Sequence, residues 1–303
     1  MEDPGTGGRA LGAARLASPF ASTSPVPQVD FRAQRSEHAA PLAVAFAAII
    51  VRDLRRTWRQ RGRLLSALVR PLLWLVVIGG GVEGLIGRGG QAGYRGFLAP
   101  GLLAMALLFG GMFASLSLVL DKESGVLRML LLAPFNHAWI VLARLLSSAA
   151  VGLLQATLLL AVLAACGYLG GCDVALLAVG LVATALAAAA MGMLLAVWVR
   201  SLENFSVMVN VVIFPLFFLS GALYPVQGLP PALRWAAQLN PFSYGVDLLK
   251  HATGSLVPPF APDFSVAGDL AVLAGFTVAA TALACWRFSS RGTIAALARL
   301  VAR

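Results

Sequence analysis

The sequence predicts an all-α integral membrane protein: six transmembrane helices, an amphipathic surface helix ahead of them, and an outer helical hairpin, re-entrant or interfacial, between the fifth and sixth. Three observations carry this. The composition is 59% hydrophobic and only 12% charged, about half the charge of ordinary soluble domains, so a bilayer has to solvate the apolar surface. Six stretches reach the roughly 20 mostly apolar residues that a hydrocarbon core about 30 Å thick requires. Threading them through a membrane leaves nineteen of the 23 basic residues on one side, with Arg88, Arg95, Arg234 and Lys250 on the other. That asymmetry is the positive-inside pattern, with both termini in the cytoplasm.

Residues 1–40 are rich in Pro, Gly, Ser and Ala and lack the apolar core of a secretory signal, which predicts a disordered tail. Residues 41–63 read PLAVAFAAIIVRDLRRTWRQRGR. The apolar half is too short to cross a bilayer, and the second half gathers Arg52, Arg55, Arg56 and Arg59 around Trp58. Such a helix lies on the inner surface, with Trp at the headgroups and Arg toward anionic lipid; a purely cytosolic arm is the alternative. The spans follow at about 66–86, 97–120, 140–166, 174–199, 205–223 and 266–288, with a cytoplasmic tail over 291–303. Pro215 predicts a kink or unwound turn in the fifth span. Ala188 and Gly192 form a small-xxx-small pair in the fourth, which permits close helix packing.

Several function classes lose support. The basic excess marks topology rather than a nucleic-acid surface. Charged residues fall at span ends or in loops, Arg70 snorkelling from its span entry, whereas ion-coupled carriers need ionisable groups at membrane depth. Neither Lys122 nor Lys250 sits in a GxxxxGK[ST] phosphate loop. His38, His137 and His251 are scattered, without a metal or hydrolase signature, and His137 and His251 read as interfacial residues. Cys166, Cys172 and Cys285 suit neither a zinc site nor a disulfide framework; small apolar filler is the expected role, with a Cys166–Cys172 disulfide at one helix-helix turn in an oxidising compartment as the alternative. The chain is therefore expected to be non-catalytic, with no metal or cofactor of its own.

Two segments carry more information. Residues 121–135, DKESGVLRMLLLAPF, place three consecutive charges between greasy runs. From Ser124 to Ala133 the residues Val126, Leu127, Leu130 and Leu131 fall on one stripe of a helix that Pro134 ends, with Asn136 available to cap the next. This short lever either rests on the inner leaflet or is offered to a soluble partner. Residues 230–252 predict two helices too short to span: one starting at Pro230 and Pro231, and a second capped by Asn240 with Pro241 at its first position. On the outer side these form a re-entrant hairpin or a cap on the headgroups, with Asn240, Pro241, Ser243, Tyr244 and Asp247 as scaffold.

The run from Glu123 to Pro134, and PLFFLSGALYPVQGLPPALRWAAQLNPFSYGVDLLKHA over 215–252, resemble permeases of the type-2 ATP-binding-cassette (ABC) exporter family. The closest likeness is to the drug, nodulation-factor and polyketide export branch. It covers about residues 41–290 and implies a permease domain in a plasma membrane, the inner one in a bacterium. Residues 121–134 would be the coupling helix on a separate ATPase, with Glu123, Gly125, Leu127, Arg128, Leu130 and Pro134 as its key residues. The helix at 41–61 would help seat that ATPase. Two permease copies, expected as a homodimer, would pair with two ATPase subunits that bind Mg-ATP. Lys250 stands where relatives often carry Arg, and Met129 and Leu132 make the coupling segment greasier than usual. The cargo expected is amphipathic or hydrophobic: drug-like, lipid-linked or saccharide-containing. Phe109, Phe113, Phe214, Phe217 and Phe218 are the candidate path lining. A nucleotide-independent secondary carrier or membrane assembly factor is the alternative.

Overall fold

The computed structural model describes residues 42–59, 61–81, 94–125, 137–169, 171–254 and 261–301. Those residues are helical or in short connections, as the all-α reading requires. Helix α1 is Leu42–Arg59. Helix α2, Arg61–Trp74, runs into a π-helical turn at Leu75–Gly79. Then come α3, Tyr94–Ala114, and α4, Leu116–Glu123; α5, His137–Ala165; α6, Val174–Trp198; and α7, Leu202–Leu219. The short helices α8, Pro231–Leu239, and α9, Pro241–Ala252, precede α10, Val266–Val301.

Among the described residues, five helices are long and apolar enough to cross a membrane: Gly96–Glu123, Ala138–Ala165, Val174–Trp198, Leu202–Leu219 and Val266–Ser289. The stretch expected as the first span contains a shorter apolar helix over Ala67–Gly79, and residues 82–86 of that span fall outside the described residues. Of the two shapes expected at Pro215, the unwound turn is not found: helix α7 continues through the proline to Leu219, one turn further on. The widened turn occurs instead at Leu75–Gly79, just after Pro71, whose missing N–H leaves a carbonyl one turn back unpaired. The membrane-length part of α10, Val266–Ser289, coincides with the expected sixth span, and the helix continues to Val301 through most of the segment expected as the tail.

The core is organised around α3. In its most apolar stretch 78% of residues are buried, against 22% in α7 and 17% in α10, so α3 is central and the other two are peripheral. It packs on both α5 and α6, and glycine makes both contacts close. A Cβ on Gly110 would come within 2.8 Å of the Gly152 Cα in α5, and one on Gly192 within 2.7 Å of the Met112 Cα. The pairing expected of Ala188 and Gly192 is observed: a Cβ on Gly111 would meet the Ala188 Cβ at 3.1 Å. Lipid tails are as apolar as these side chains, so backbone approach of this kind is the main source of helix association in a bilayer.

Candidate coupling region and transport path

The three charges of the Asp121-Lys122-Glu123 segment each clasp a different helix. Asp121 pairs with Arg144 of α5, whose other nitrogen lies 3.1 Å from Asp53 Oδ2 in α1. Ser147 donates to the same Asp53 oxygen at 2.6 Å. The guanidinium is 6% exposed and the two carboxylates 12% and 19%, so the network is largely dry. Lys122 Nζ donates to the carbonyls of Ala196, Val197 and Val199 at 2.5, 3.0 and 3.2 Å, which are orphan acceptors at the C-terminus of α6. Glu123 Oε1 accepts from the N–H of Leu202 at 2.8 Å, at the start of α7. Gly125 then turns the chain with φ +75°, the left-handed conformation in which glycine avoids a Cβ clash. Leu127, Arg128, Leu130 and Pro134 lie outside the described residues.

This clasp ties α1, α5, α6 and α7 to the end of α4. Lys122→Met should lose about 2 kcal/mol of stability, in line with charge-assisted hydrogen bonds. Unfolding of the purified chain in micelles measures the loss, and an unchanged midpoint would remove Lys122 from the clasp.

Helix α1 has the two faces expected of it. Arg52, Arg55, Arg56, Trp58 and Arg59 are exposed, while Asp53 and Thr57 are buried against the bundle. The buried aspartate within an arginine-rich run is an anchor of α1 on the bundle that reading α1 as a surface helix passes over.

The five candidate path phenylalanines form one aromatic string. Phe109 stacks on Phe113 at 6.1 Å between centroids and meets Phe214 edge-on at 6.2 Å. Phe214 stacks on Phe218 at 6.3 Å, and Trp74 contacts Phe217 and Phe218 at 5.9 and 6.0 Å. Phe217 is 2% exposed and belongs to the core, whereas Phe214 and Phe218 are 42% and 39% exposed. A cavity of about 220 Å³ opens beside Phe109 and Phe113, lined also by Arg70, Pro71, Met105 and Gln155.

Arg70 corrects an expectation. Instead of snorkelling to the span entry, its guanidinium lies 4.2 Å from the centroid of Phe109, midway along Gly96–Glu123. A second cavity, of about 390 Å³, touches Arg70 with Val69, Leu73 and Trp74. The guanidinium thus stands between two cavities at depth, held by a cation–π contact.

At the opposite end of the bundle, α8 and α9 form the hairpin. Asn240 Oδ1 caps α9 by accepting from the Phe242 N–H at 3.0 Å, and its Nδ2 donates to the Leu216 carbonyl of α7 at 2.7 Å. The Ser243 hydroxyl donates to Ala237 O at 2.6 Å, and the Tyr244 hydroxyl to Gln238 O at 2.8 Å. Pro241 occupies the first turn of α9. Asp247 accepts from the N–H groups of Asp263 and Phe264 at 2.7 and 2.9 Å, fastening the approach to α10. Lys250 is buried, 3.6 Å from Asp263 and 5.0 Å above the Phe97 ring. Burial pushes the Asp247 carboxyl above its usual range, against the pull of those two N–H groups and Lys250. Burial also pulls the Lys250 ammonium downward, which the carboxylates of Asp263 and Asp247 oppose. His251 faces Asp247 and Asp269, with one ligand-capable atom of each of the three within 4.8 Å of the others. The three cysteines are free.

Long apolar helices around a glycine-tight centre, with an aromatic cavity opening to one side, define a multi-pass α-helical membrane protein. Residues 44–252 match the family described as ABC-2 type transporter. Nodulation protein J of Rhizobium leguminosarum bv. trifolii is 30% identical over 197 residues, covering 62% of this chain and 72% of that protein. The putative transport permease ycf38 of Pyropia yezoensis is 26% identical over 223 residues, covering 69% of this chain and 74% of its own. The chain belongs to the ABC-2 type transporter family and is a transport permease.

Proposed function

We propose that this permease is the membrane subunit of an ATP-driven exporter, moved by a separate ATPase that docks where the Asp121-Lys122-Glu123 segment leaves α4. The observation that carries the reading is the clasp itself: a push on the residues that follow Glu123 is delivered to α1, α5, α6 and α7 together. Lys122, and Arg287 over the Trp198 ring, lie at the end of the bundle reached by the arginine-rich face of α1. Lys250 lies at the other. That distribution supports a cytoplasmic clasp and cytoplasmic termini. Mg-ATP belongs to the partner.

The cavities on either side of Arg70 support a path between apolar helices for an amphipathic cargo. A guanidinium facing hydrocarbon is costly. The exposed faces of α2, the π-helical turn after it and α7, with Val69, Leu73, Val76, Val211 and Phe214, therefore suit a second permease copy with the path between the two. The cation also favours cargo carrying an anionic or strongly polar group next to an apolar part.

The docking claim is tested by copurification. Leu127→Asp combined with Arg128→Glu, which keeps the clasp residues Asp121, Lys122 and Glu123, is expected to lose the ATPase, with an unchanged unfolding midpoint of the permease as the control. Retention of the ATPase at the wild-type ratio overturns it. If transport persists without any ATPase and stops when the proton gradient collapses, the secondary-carrier reading replaces this one.

A further inference from the structure

We propose that Asp247, His251 and Asp269 bind a divalent cation of the manganese and zinc class, which clamps the hairpin helix α9 to the start of α10. The geometric reason is Asp269. It is 0% exposed, and among the described residues neither oxygen of the ionised carboxylate meets a hydrogen-bond donor; the Asp247 carboxylate beside it can serve only if a proton is shared between the two. Buried polar atoms nearly always have a partner, and an orphan calls for a missing water or ion. One Asp269 oxygen belongs to a cluster whose other members are ligand types.

The spacing fits. Asp247 Oδ2 and His251 Nε2 are 3.7 Å apart, and one ligand atom from each of the three residues lies within 4.8 Å of the others. An ion with bonds of about 2.0–2.2 Å holds its donors about 3–3.5 Å apart, so contraction of about an ångström closes the set. His251 Nε2 also lies 2.9 Å from the Phe264 carbonyl oxygen. Two lone pairs at that distance need a proton or a cation between them. A bound ion would take the proton's place, with the imidazole proton on Nδ1 and the carbonyl as a fourth donor.

The charge balance points the same way. Asp247, Asp263 and Asp269 converge here, while Lys250 is committed to Asp263 and to the Phe97 ring. Ionised, the three carboxylates leave an excess of two negative charges, which a dication neutralises. One imidazole with carboxylates and a carbonyl suits manganese or zinc. Asp247 already holds the N–H groups of Asp263 and Phe264, so the ion would join α9, the approach to α10 and α10 itself at a single point. The inference stands apart from what powers transport.

The test uses the full chain in micelles, stripped with chelator and titrated with Mn²⁺, the free ion being read by electron paramagnetic resonance. Wild type is expected to take up one equivalent, released by Zn²⁺, and to unfold at a higher temperature with Mn²⁺ than in chelator. Asp269→Asn and His251→Gln should each weaken uptake at least about tenfold and lose the thermal shift. In chelator the Asp269→Asn protein should unfold at or above the wild-type midpoint, since the substitution removes a buried unpaired carboxylate. Should that variant fail to accumulate, His251→Gln carries the same comparison. Undiminished free Mn²⁺ with wild type, or equal uptake by wild type and variant, overturns the proposal; the former result would leave Asp247 and Asp269 as a carboxyl pair sharing a proton.

Discussion

Replacing Arg144 with leucine is expected to release α1 from the bundle and to cost about 3–5 kcal/mol, the range for stripping one partner from a buried ion network. The guanidinium has two carboxylate partners, Asp53 from α1 and Asp121 from α4. Leucine fills part of the volume but leaves Asp121 without its guanidinium in a dry site, and Asp53 with only Ser147 and the largely exposed Arg52, whose Nε lies 3.4 Å from its other oxygen. The penalty comes mostly from those stranded charges rather than from the lost attraction, and this gives the experiment its second arm. Adding Asp53→Asn and Asp121→Asn to Arg144→Leu should recover much of the loss, because neutral amides tolerate the site better. Unfolding of the purified chain in micelles measures both steps, and quenching of Trp58 fluorescence reports whether α1 has detached. A single mutant within about 1 kcal/mol of wild type would mean that α1 is held by other contacts. Coupling should fail before folding does: with α1 loose, ATPase turnover continues while transport falls.

The same network shows which parts of the molecule are legible in a linear chain and which are not. Span positions follow from hydropathy because the bilayer imposes a length on every helix, and α5, α6 and α10 begin within three residues of the expected starts. The cap at Asn240 is legible because capping is local: the acceptor Oδ1 and the Phe242 N–H are two residues apart. The double-faced α1 is legible as a helix with an arginine-rich side. Its anchor is not, since Asp53 and Arg144 are 91 residues apart and no periodicity links them. Glu123 reads in the sequence as a contact for a partner, yet its Oε1 accepts from Leu202, 79 residues on. Counting from the span entry places Arg70 near the surface, whereas the direction of its side chain and the Phe109 ring beneath it determine its depth. The meeting of Asp247, His251 and Asp269 needs both the i,i+4 spacing within α9 and the docking of α10 against it. Only the first of these is visible without the fold.

Gly192→Leu is expected to abolish accumulation of folded protein, and the reason lies in the distance between α6 and α3. At Gly192 even a single carbon would lie 2.7 Å from the Met112 Cα and 2.7 Å from Ser115 Oγ. The first of these is backbone and cannot rotate away. Gly192→Ala must therefore push α6 off α3, which costs about 1–3 kcal/mol as overpacking does in a tight core; a leucine adds three more carbons in the same direction. The helices have nowhere to compensate, because α3 is pinned on its other side by Gly110 and Gly152 of α5. Separation also pulls the α6 carbonyls away from Lys122 and so weakens the clasp. Gly275→Ala in α10 is the matched control. A Cβ added there would meet nothing within 4 Å, and the change should be neutral or slightly stabilising through helix propensity alone. Yield and unfolding midpoint of the three variants in one detergent decide the matter. If Gly192→Ala behaves like Gly275→Ala, α3 and α6 are free to slide, and a push delivered at Glu123 would be absorbed within the bundle instead of moving it as a unit.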